Sequence, residues 1–231
     1  MIDSFVRFGP AHISAIVLTV AVPLLLTAIT RLDHTGTTGR IVRALFAATL
    51  IVNKLISLVL LSRAGELAID SVVPMHLCDW AAIAAVITLV WPNQWTYELC
   101  YFWSLAGTLQ ALITPDIRFG FPHPQFVSFF VQHSGVIAAA IYLTLAMKMR
   151  PIPMSIVRVL GWSAVYFAVA MTVNFMLGTN FGYLSAKPEH PSLMDYMAPW
   201  PYYLAELVVL AVIFCLVCYV PFFIFDRLRS K

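Results

Sequence analysis

The chain has 231 residues, of which 61 % are apolar and only 11 % charged, with a mean hydropathy of +0.87. Soluble domains run at roughly 45–50 % and 25 %, so a water-soluble protein is excluded. An all-α, polytopic membrane protein is expected, a single domain over residues 1–231. The formal charge of +3 comes without a dense Lys/Arg run, which speaks against a nucleic-acid partner.

A bilayer core of about 30 Å needs roughly 20 helical residues. Seven segments qualify: His12–Thr30, Ile41–Leu61, Met75–Trp91, Glu98–Thr114, Phe126–Lys148, Ile156–Leu177 and Tyr203–Phe225. The stretch from Met1 to Thr30 reads as a retained first span, because its apolar run is longer than a signal-peptide core and no small-x-small pattern precedes Arg31. Pro74 suits the first turn of the third helix, Pro115 closes the fourth, and Pro151 with Pro153 separates the fifth from the sixth. Between the last two spans, residues 178–202 form the longest connection. It carries Pro188, Pro191, Pro199 and Pro201 among aromatics, so an ordered outer loop is expected there. No internal repeat is visible, which weakens an inverted-repeat transporter.

Lys and Arg in the flanks set the orientation. Arg31, Arg40, Arg43, Lys148, Arg150, Arg158, Arg227, Arg229 and Lys231 fall on one side, and Arg7, Arg63, Arg118 and Lys187 on the other. Lys54 lies within the membrane. The N-terminus is therefore expected outside and the C-terminus in the cytoplasm, in the cell membrane. Cys78, Cys100, Cys215 and Cys218 all lie in or at the ends of spans, so a disulfide framework is not expected.

With this topology the non-hydroxyl polar side chains gather toward the outer ends. His12 opens the first span, and His76, Cys78 and Asp79 occupy the first turns of the third. Gln110 is one turn below the outer end of the fourth, and His133 lies roughly 10 Å down the fifth at 1.5 Å per residue. Asn174 is near the outer end of the sixth and Glu206 in the first turn of the seventh. Such groups in hydrocarbon are expensive and usually functional, although His or Gln also bridges helices by simple hydrogen bonds. Lys54, beside Asn53, needs Asp79 or Glu206 as partner, unless it snorkels outward.

Helical geometry limits which of these cooperate. His76 and Asp79 share one face, and Met75 and Cys78 the neighbouring one. His76 and Cys78 point about 160° apart, which argues against a local His-x-Cys chelate. A zinc site from Cys78 and His133 stays open, but no cofactor or metal is expected. Cys78 near a helix N-terminus suits a nucleophile with His133 as its base, oriented by Asn174, Asp79 or Glu206. A small packing residue is the alternative for Cys78.

Several strings then carry a resemblance. V-P-M-H-L-C-D-W (Val73–Trp80), Y-F-W-S-L-A-G-T-L-Q-A-L-I-T-P-D (Tyr101–Asp116), G-F-P-H-P (Gly120–Pro124), Q-H-S-G-V (Gln132–Val136), N-F-M-L-G-T-N-F-G-Y-L (Asn174–Leu184), K-P (Lys187–Pro188) and P-W-P-Y-Y (Pro199–Tyr203) resemble the YwaF-like integral membrane proteins. That family is similar to the transmembrane protein 164 acyltransferases. The resemblance implies a seven-transmembrane-helix bundle whose outer polar pocket handles phospholipid acyl chains through a Cys and a His. It matches the catalytic His to His133. It places the Cys directly after a Pro, where Met75 stands here, with Cys78 one turn later on the same face.

The expected activity is acyl transfer or lipid hydrolysis at the outer leaflet, on a phospholipid substrate drawn from the membrane. Cys78 is the expected nucleophile and His133 the base. Gln110, Asn174 and Asn180 are candidates for oxyanion or headgroup contacts, and Lys54 and Lys187 for a phosphate. The rivals are a transporter or lipid-binding protein using the same pocket, and a structural subunit whose polar groups only fasten helices. The oligomeric state is not legible.

Overall fold

The computed structural model describes residues 4–189 and 192–229; Met1, Pro191 and Lys231 lie outside the described residues. Its helices are α1 (Pro10–Leu32), α2 (Thr37–Ala64), α3 (Ile69–Val72), α4 (Leu77–Val90), α5 (Gln94–Trp103), α6 (Leu109–Ile113), α7 (Pro124–Leu145), α8 (Pro153–Leu177) and α9 (Tyr203–Arg229). A π-helical segment, Ser104–Thr108, joins α5 to α6 without a break. The chain crosses seven times, so the N-terminus, the 65–76 and 114–123 connections and the 178–202 loop share one end of the bundle, here the first end. The C-terminus is at the other, the second end.

Six of these crossings are helices long and apolar enough to span a membrane, with α3 and α4 taken together. The seventh is the α5–π–α6 rod of residues 94–113, about 30 Å long at 1.5 Å per residue. Two crossings are not plain helices. α4 has 14 residues, about 21 Å, so its N-terminus begins below the first end of the bundle. Val73 and His76 are extended, and α3 stops before them. The third crossing was expected to begin at Met75; its continuous helix begins at Leu77, because His76 is extended and caps it, its N–H held by the Asp79 carboxylate. Irregular backbone at this depth is tolerated only where protein surrounds it.

The boundaries follow local chemistry. Pro10, Pro124 and Pro153 stand in the first turns of their helices, where the missing N–H costs nothing. Gly65 and Gly178 close α2 and α8 in the left-handed conformation at φ 72° and 65°. Between α1 and α2, the Asp33 carboxylate accepts the Thr35 amide and hydroxyl and the Thr38 amide. Those bonds, the Thr35 hydroxyl first, hold its carboxyl well below the usual carboxylate range.

α7 is the central helix, half buried, whereas the spanning stretches of α2 and α9 are 11 % buried. Small residues explain the close packing around it. Ala81, Ala84 and Ala85 of α4 and Ala139 and Ala140 of α7 are buried in one core cluster. A Cβ on Gly135 would sit 2.9 Å from Leu50, and one on Gly107 would sit 2.9 Å from Leu77. Glycine at these two points lets α2 meet α7 and the π segment meet the start of α4. At the second end, Glu98 is 1 % exposed and takes both Arg158 and Gln94.

Candidate functional site

The start of α4 carries three polar side chains into the bundle. His76 is its N-cap residue, and the Asp79 carboxylate accepts the His76 backbone N–H at 3.2 Å. The other Asp79 oxygen pairs with Lys54 Nζ of α2, also at 3.2 Å. Of the two partners the sequence offers Lys54, the chain uses Asp79. The pair is sheltered, with the Asp79 side chain 12 % exposed and that of Lys54 34 %. Lys54, His133 and Tyr166 lie nine to eleven residues inward from the first-end termini of α2, α7 and α8, so all three stand roughly 14–17 Å deep.

His133 is buried and stacked on Phe129, with ring centroids 4.0 Å apart. Its Nδ1 meets the Phe129 carbonyl oxygen at 2.8 Å. A carbonyl only accepts, so Nδ1 carries the proton and Nε2 keeps its lone pair. Nε2 has no hydrogen-bond partner among the described residues. Asp79 and His76 are titratable groups whose charge acts on this ring.

His76 has the opposite tautomer. Its Nδ1 accepts the Gly182 amide at 3.3 Å, which puts the proton on Nε2. The amide comes from the 178–202 loop, whose 3₁₀ turn, Phe181–Tyr183, dips into the bundle. Asn174 holds that turn: its Nδ2 donates to the Phe181 carbonyl at 3.0 Å, and its Oδ1 accepts the Phe181 amide at 2.7 Å and the Thr179 hydroxyl at 3.0 Å. Tyr203 donates its hydroxyl to the Tyr183 carbonyl, and Tyr183 donates to Asp116 at 2.9 Å. Burial, with Asp116 second, pushes the Tyr183 phenol up, so it stays a donor.

Cys78 is half-buried in the first turn of α4 and is a free thiol. It has Asp79, Lys54, Tyr166 and Tyr183 for neighbours. No hydrogen bond joins its sulfur to His133; Asp79 neighbours both. The Gln110 side chain, on α6, makes no hydrogen bond among the described residues.

The remaining candidates are engaged elsewhere. His12 accepts the Phe8 amide on Nδ1 at 2.9 Å and donates from Nε2 to the Leu112 carbonyl at 2.8 Å. Both ring nitrogens are used, fastening α1 to α6. Asn180 accepts the Ser185 and Ala186 amides and donates to the Ala186 carbonyl, closing the loop on itself. Glu206 accepts the Ala198 amide at 3.1 Å, beside an apolar groove of about 410 Å³ with Met197, Val209 and Leu210. Lys187 donates to the Met197 carbonyl at 2.7 Å. Asn53 donates to the Ser128 carbonyl and to Gln132, tying α2 to α7. Among the described residues no three His, Cys, Asp or Glu stand together as metal ligands.

Tyr166, Tyr183, Gly182 and Asp116 belong to this junction and the sequence reading missed them. It counted non-hydroxyl polar groups, and phenols in spans pass as aromatics. Tyr166, alone among the α8 aromatics in carrying a hydroxyl mid-span, was the available signal.

A family model described as the TMEM164 family matches residues 7–219. The chain belongs to the TMEM164 family. It is a multi-pass membrane protein, as the apolar helices require. The matched range takes in six crossings whole, the seventh as far as Tyr219, and every residue of the junction at α4. No curated protein and no solved structure matches the chain.

Proposed function

We propose that this TMEM164-family chain is a membrane-embedded acyltransferase or lipid hydrolase acting on phospholipid acyl esters. The observation that carries the reading is His133. A backbone carbonyl fixes its Nδ1–H tautomer, and an Nε2 lone pair with no partner among the described residues is left over, which is the arrangement a general base needs. Cys78 is the nucleophile. It sits where the α4 dipole favours developing negative charge.

In the first step the Cys78 sulfur bonds to the acyl carbonyl carbon, and the thiol proton passes to His133 Nε2. The carbonyl electron pair moves onto oxygen. When it returns, the ester C–O bond breaks and the lysophospholipid oxygen takes the proton from His133. Water or a second lipid hydroxyl then cleaves the thioester by the same route reversed. Contact between thiol and imidazole tightens with substrate in place, as catalytic contacts commonly do. Asp79, neutralised by Lys54, stabilises the imidazolium that forms. Lys54 Nζ, partly exposed, is a candidate cation for the headgroup phosphate, as is Lys187 of the outer loop.

The distribution of Lys and Arg supports a cell-membrane topology with the first end, and hence this junction, on the outer side. A C-terminal tag should then be cut by protease only in inside-out vesicles.

The test of the activity is trapping. The purified protein is mixed with phosphatidylcholine vesicles carrying radiolabelled acyl chains and assayed for a hydroxylamine-sensitive protein adduct. The adduct should form in wild type and vanish in Cys78→Ala. Its absence from wild type, or its survival in Cys78→Ala, overturns the mechanism. Ligand-dependent stabilisation lost in Lys54→Met but not in Cys78→Ala would instead favour a carrier.

A further inference from the structure

The first turn of α4 has donors to spare. The amides of Asp79 and Trp80 go to the His76 carbonyl, while those of Leu77 and Cys78 have no backbone acceptor among the described residues, the Leu77 amide facing the Tyr166 oxygen and the Cys78 amide its own sulfur. Unsatisfied amides at a helix start are expected. Here they lie inside the bundle, and a second donor stands beside them. Tyr166 of α8 is 6 % exposed, and its hydroxyl has no hydrogen-bond partner among the described residues. That hydroxyl lies by the Leu77 amide, with Cys78 and Asp79 as its titratable neighbours.

A hydroxyl in this position contributes nothing to folding. Phenylalanine would keep the ring contact with Trp80, at 5.4 Å between centroids, without burying an unsatisfied polar atom. The oxygen is also closed off from solvent. The backbone that closes over it belongs to Gly182, at φ 67°, and a Cβ there would stand 2.5 Å from the Tyr166 oxygen. The 181–183 turn thus reaches the junction with bare backbone, and its amide is turned to His76. Asp79, the negative group nearby, is already offset by Lys54.

We infer that the Tyr166 hydroxyl and the Leu77 and Cys78 amides form an oxyanion site for the acyl carbonyl attacked by Cys78. This rests on the acyl-transfer reading and adds to it the group that stabilises the tetrahedral intermediate. The Leu77 amide adjoins the Tyr166 hydroxyl, with Cys78 beside it, where a helix N-terminus already favours negative charge. Tyr166 is then a catalytic residue, since its hydroxyl touches the reacting oxygen and is free until substrate arrives.

The experiment compares wild type with Tyr166→Phe in two reactions of Cys78. One is single-turnover acylation by radiolabelled phosphatidylcholine in mixed micelles. The other is alkylation by iodoacetamide, followed at the Cys78 peptide by mass spectrometry, which builds no oxyanion. Tyr166→Phe should slow acylation about 10²–10³-fold, with KM for the lipid little changed. Alkylation should stay within about twofold of wild type and Tm should not fall, because the variant removes an unsatisfied buried group. Equal acylation rates, or equal slowing of both reactions, overturn the oxyanion role and leave acyl transfer standing. A lower Tm with an unchanged ratio of the two rates makes the hydroxyl structural and overturns it as well. A wild type that forms no adduct removes the acyl-transfer reading and this inference with it.

Discussion

Substituting Arg158 by Met should be the most damaging single change at the second end of the bundle. Its Nη1 reaches both Glu98 oxygens, at 3.1 and 3.3 Å, and its guanidinium lies over the Trp95 ring at 4.6 Å. Glu98 is 1 % exposed, so no water replaces the lost partner. Breaking a buried pair by removing one ion costs about 3–5 kcal/mol. Two features place the expectation near 3 kcal/mol, or roughly a hundredfold in the folding constant. The Gln94 amide still donates to Glu98 at 2.9 Å, and the Arg158 side chain is itself 25 % exposed. Glu98→Leu should cost less, about 1–2 kcal/mol, because the orphaned guanidinium can turn to the interface. The double variant Glu98→Leu/Arg158→Met should recover to within about 1 kcal/mol of wild type, since a packed apolar pair serves as well as a buried ionic one. Equilibrium unfolding in mixed micelles measures all four species. A loss below about 1 kcal/mol in Arg158→Met, or a double variant as unstable as the two singles summed, would refute this reasoning.

Lys54→Met should cost about 1–2 kcal/mol, less than the Arg158 change, because Asp79 keeps the His76 amide and the α4 dipole. A double-mutant cycle with Asp79→Asn should give a coupling of about 1 kcal/mol, and a value near zero would remove the pair from the account. Asn174→Leu deletes three hydrogen bonds that anchor the 181–183 turn. At about 1 kcal/mol each, roughly 3 kcal/mol should be lost, with faster proteolysis within residues 178–202; unchanged protease resistance would contradict the anchoring. His133→Gln should abolish the hydroxylamine-sensitive adduct while leaving Tm within a few degrees, and an adduct formed at the wild-type rate would exclude His133 as the base. The lowered carboxyl of Asp33 stabilises the fold above the ordinary Asp range, near pH 4, and this contribution fades as pH falls below it. Asp33→Asn should therefore destabilise at pH 7 and converge on wild type in acid; equal losses at both pH values would contradict the assignment.

The seven crossings were legible because length and apolarity alone decide what spans a bilayer. Their interruptions were not. Pro74 signals a helix start, but nothing local distinguishes a helix beginning at the membrane surface from one beginning inside the bundle. The π turn at residues 104–108 leaves no pattern in apolar residues, since these fall on every side of that rod. Lys54 and His133 stood out because charge and imidazole are costly in hydrocarbon. His12, Asn174, Asn180 and Glu206 met the same criterion, yet backbone groups of α6 and the 178–202 loop consume their hydrogen-bonding capacity. Residue type shows that a polar group needs a partner and cannot show that a nearby backbone already provides it. Tyr166 was hidden for the converse reason: a phenol ring counts as apolar until its hydroxyl is found without company.

The π segment sets a constraint of phase on everything that follows it. Its extra residue rotates α6 by about 100° relative to an uninterrupted α-helix. That turn directs Leu112, 1 % exposed, into the cluster of Ile117, Phe126 and Phe130, and presents its carbonyl to His12. Removing Ser104, Ala106 or Gly107 would take out the extra residue and turn that face about 100° away from the cluster, though no side chain of the cluster had been altered. Within this stretch the number of residues is specified as tightly as their identity.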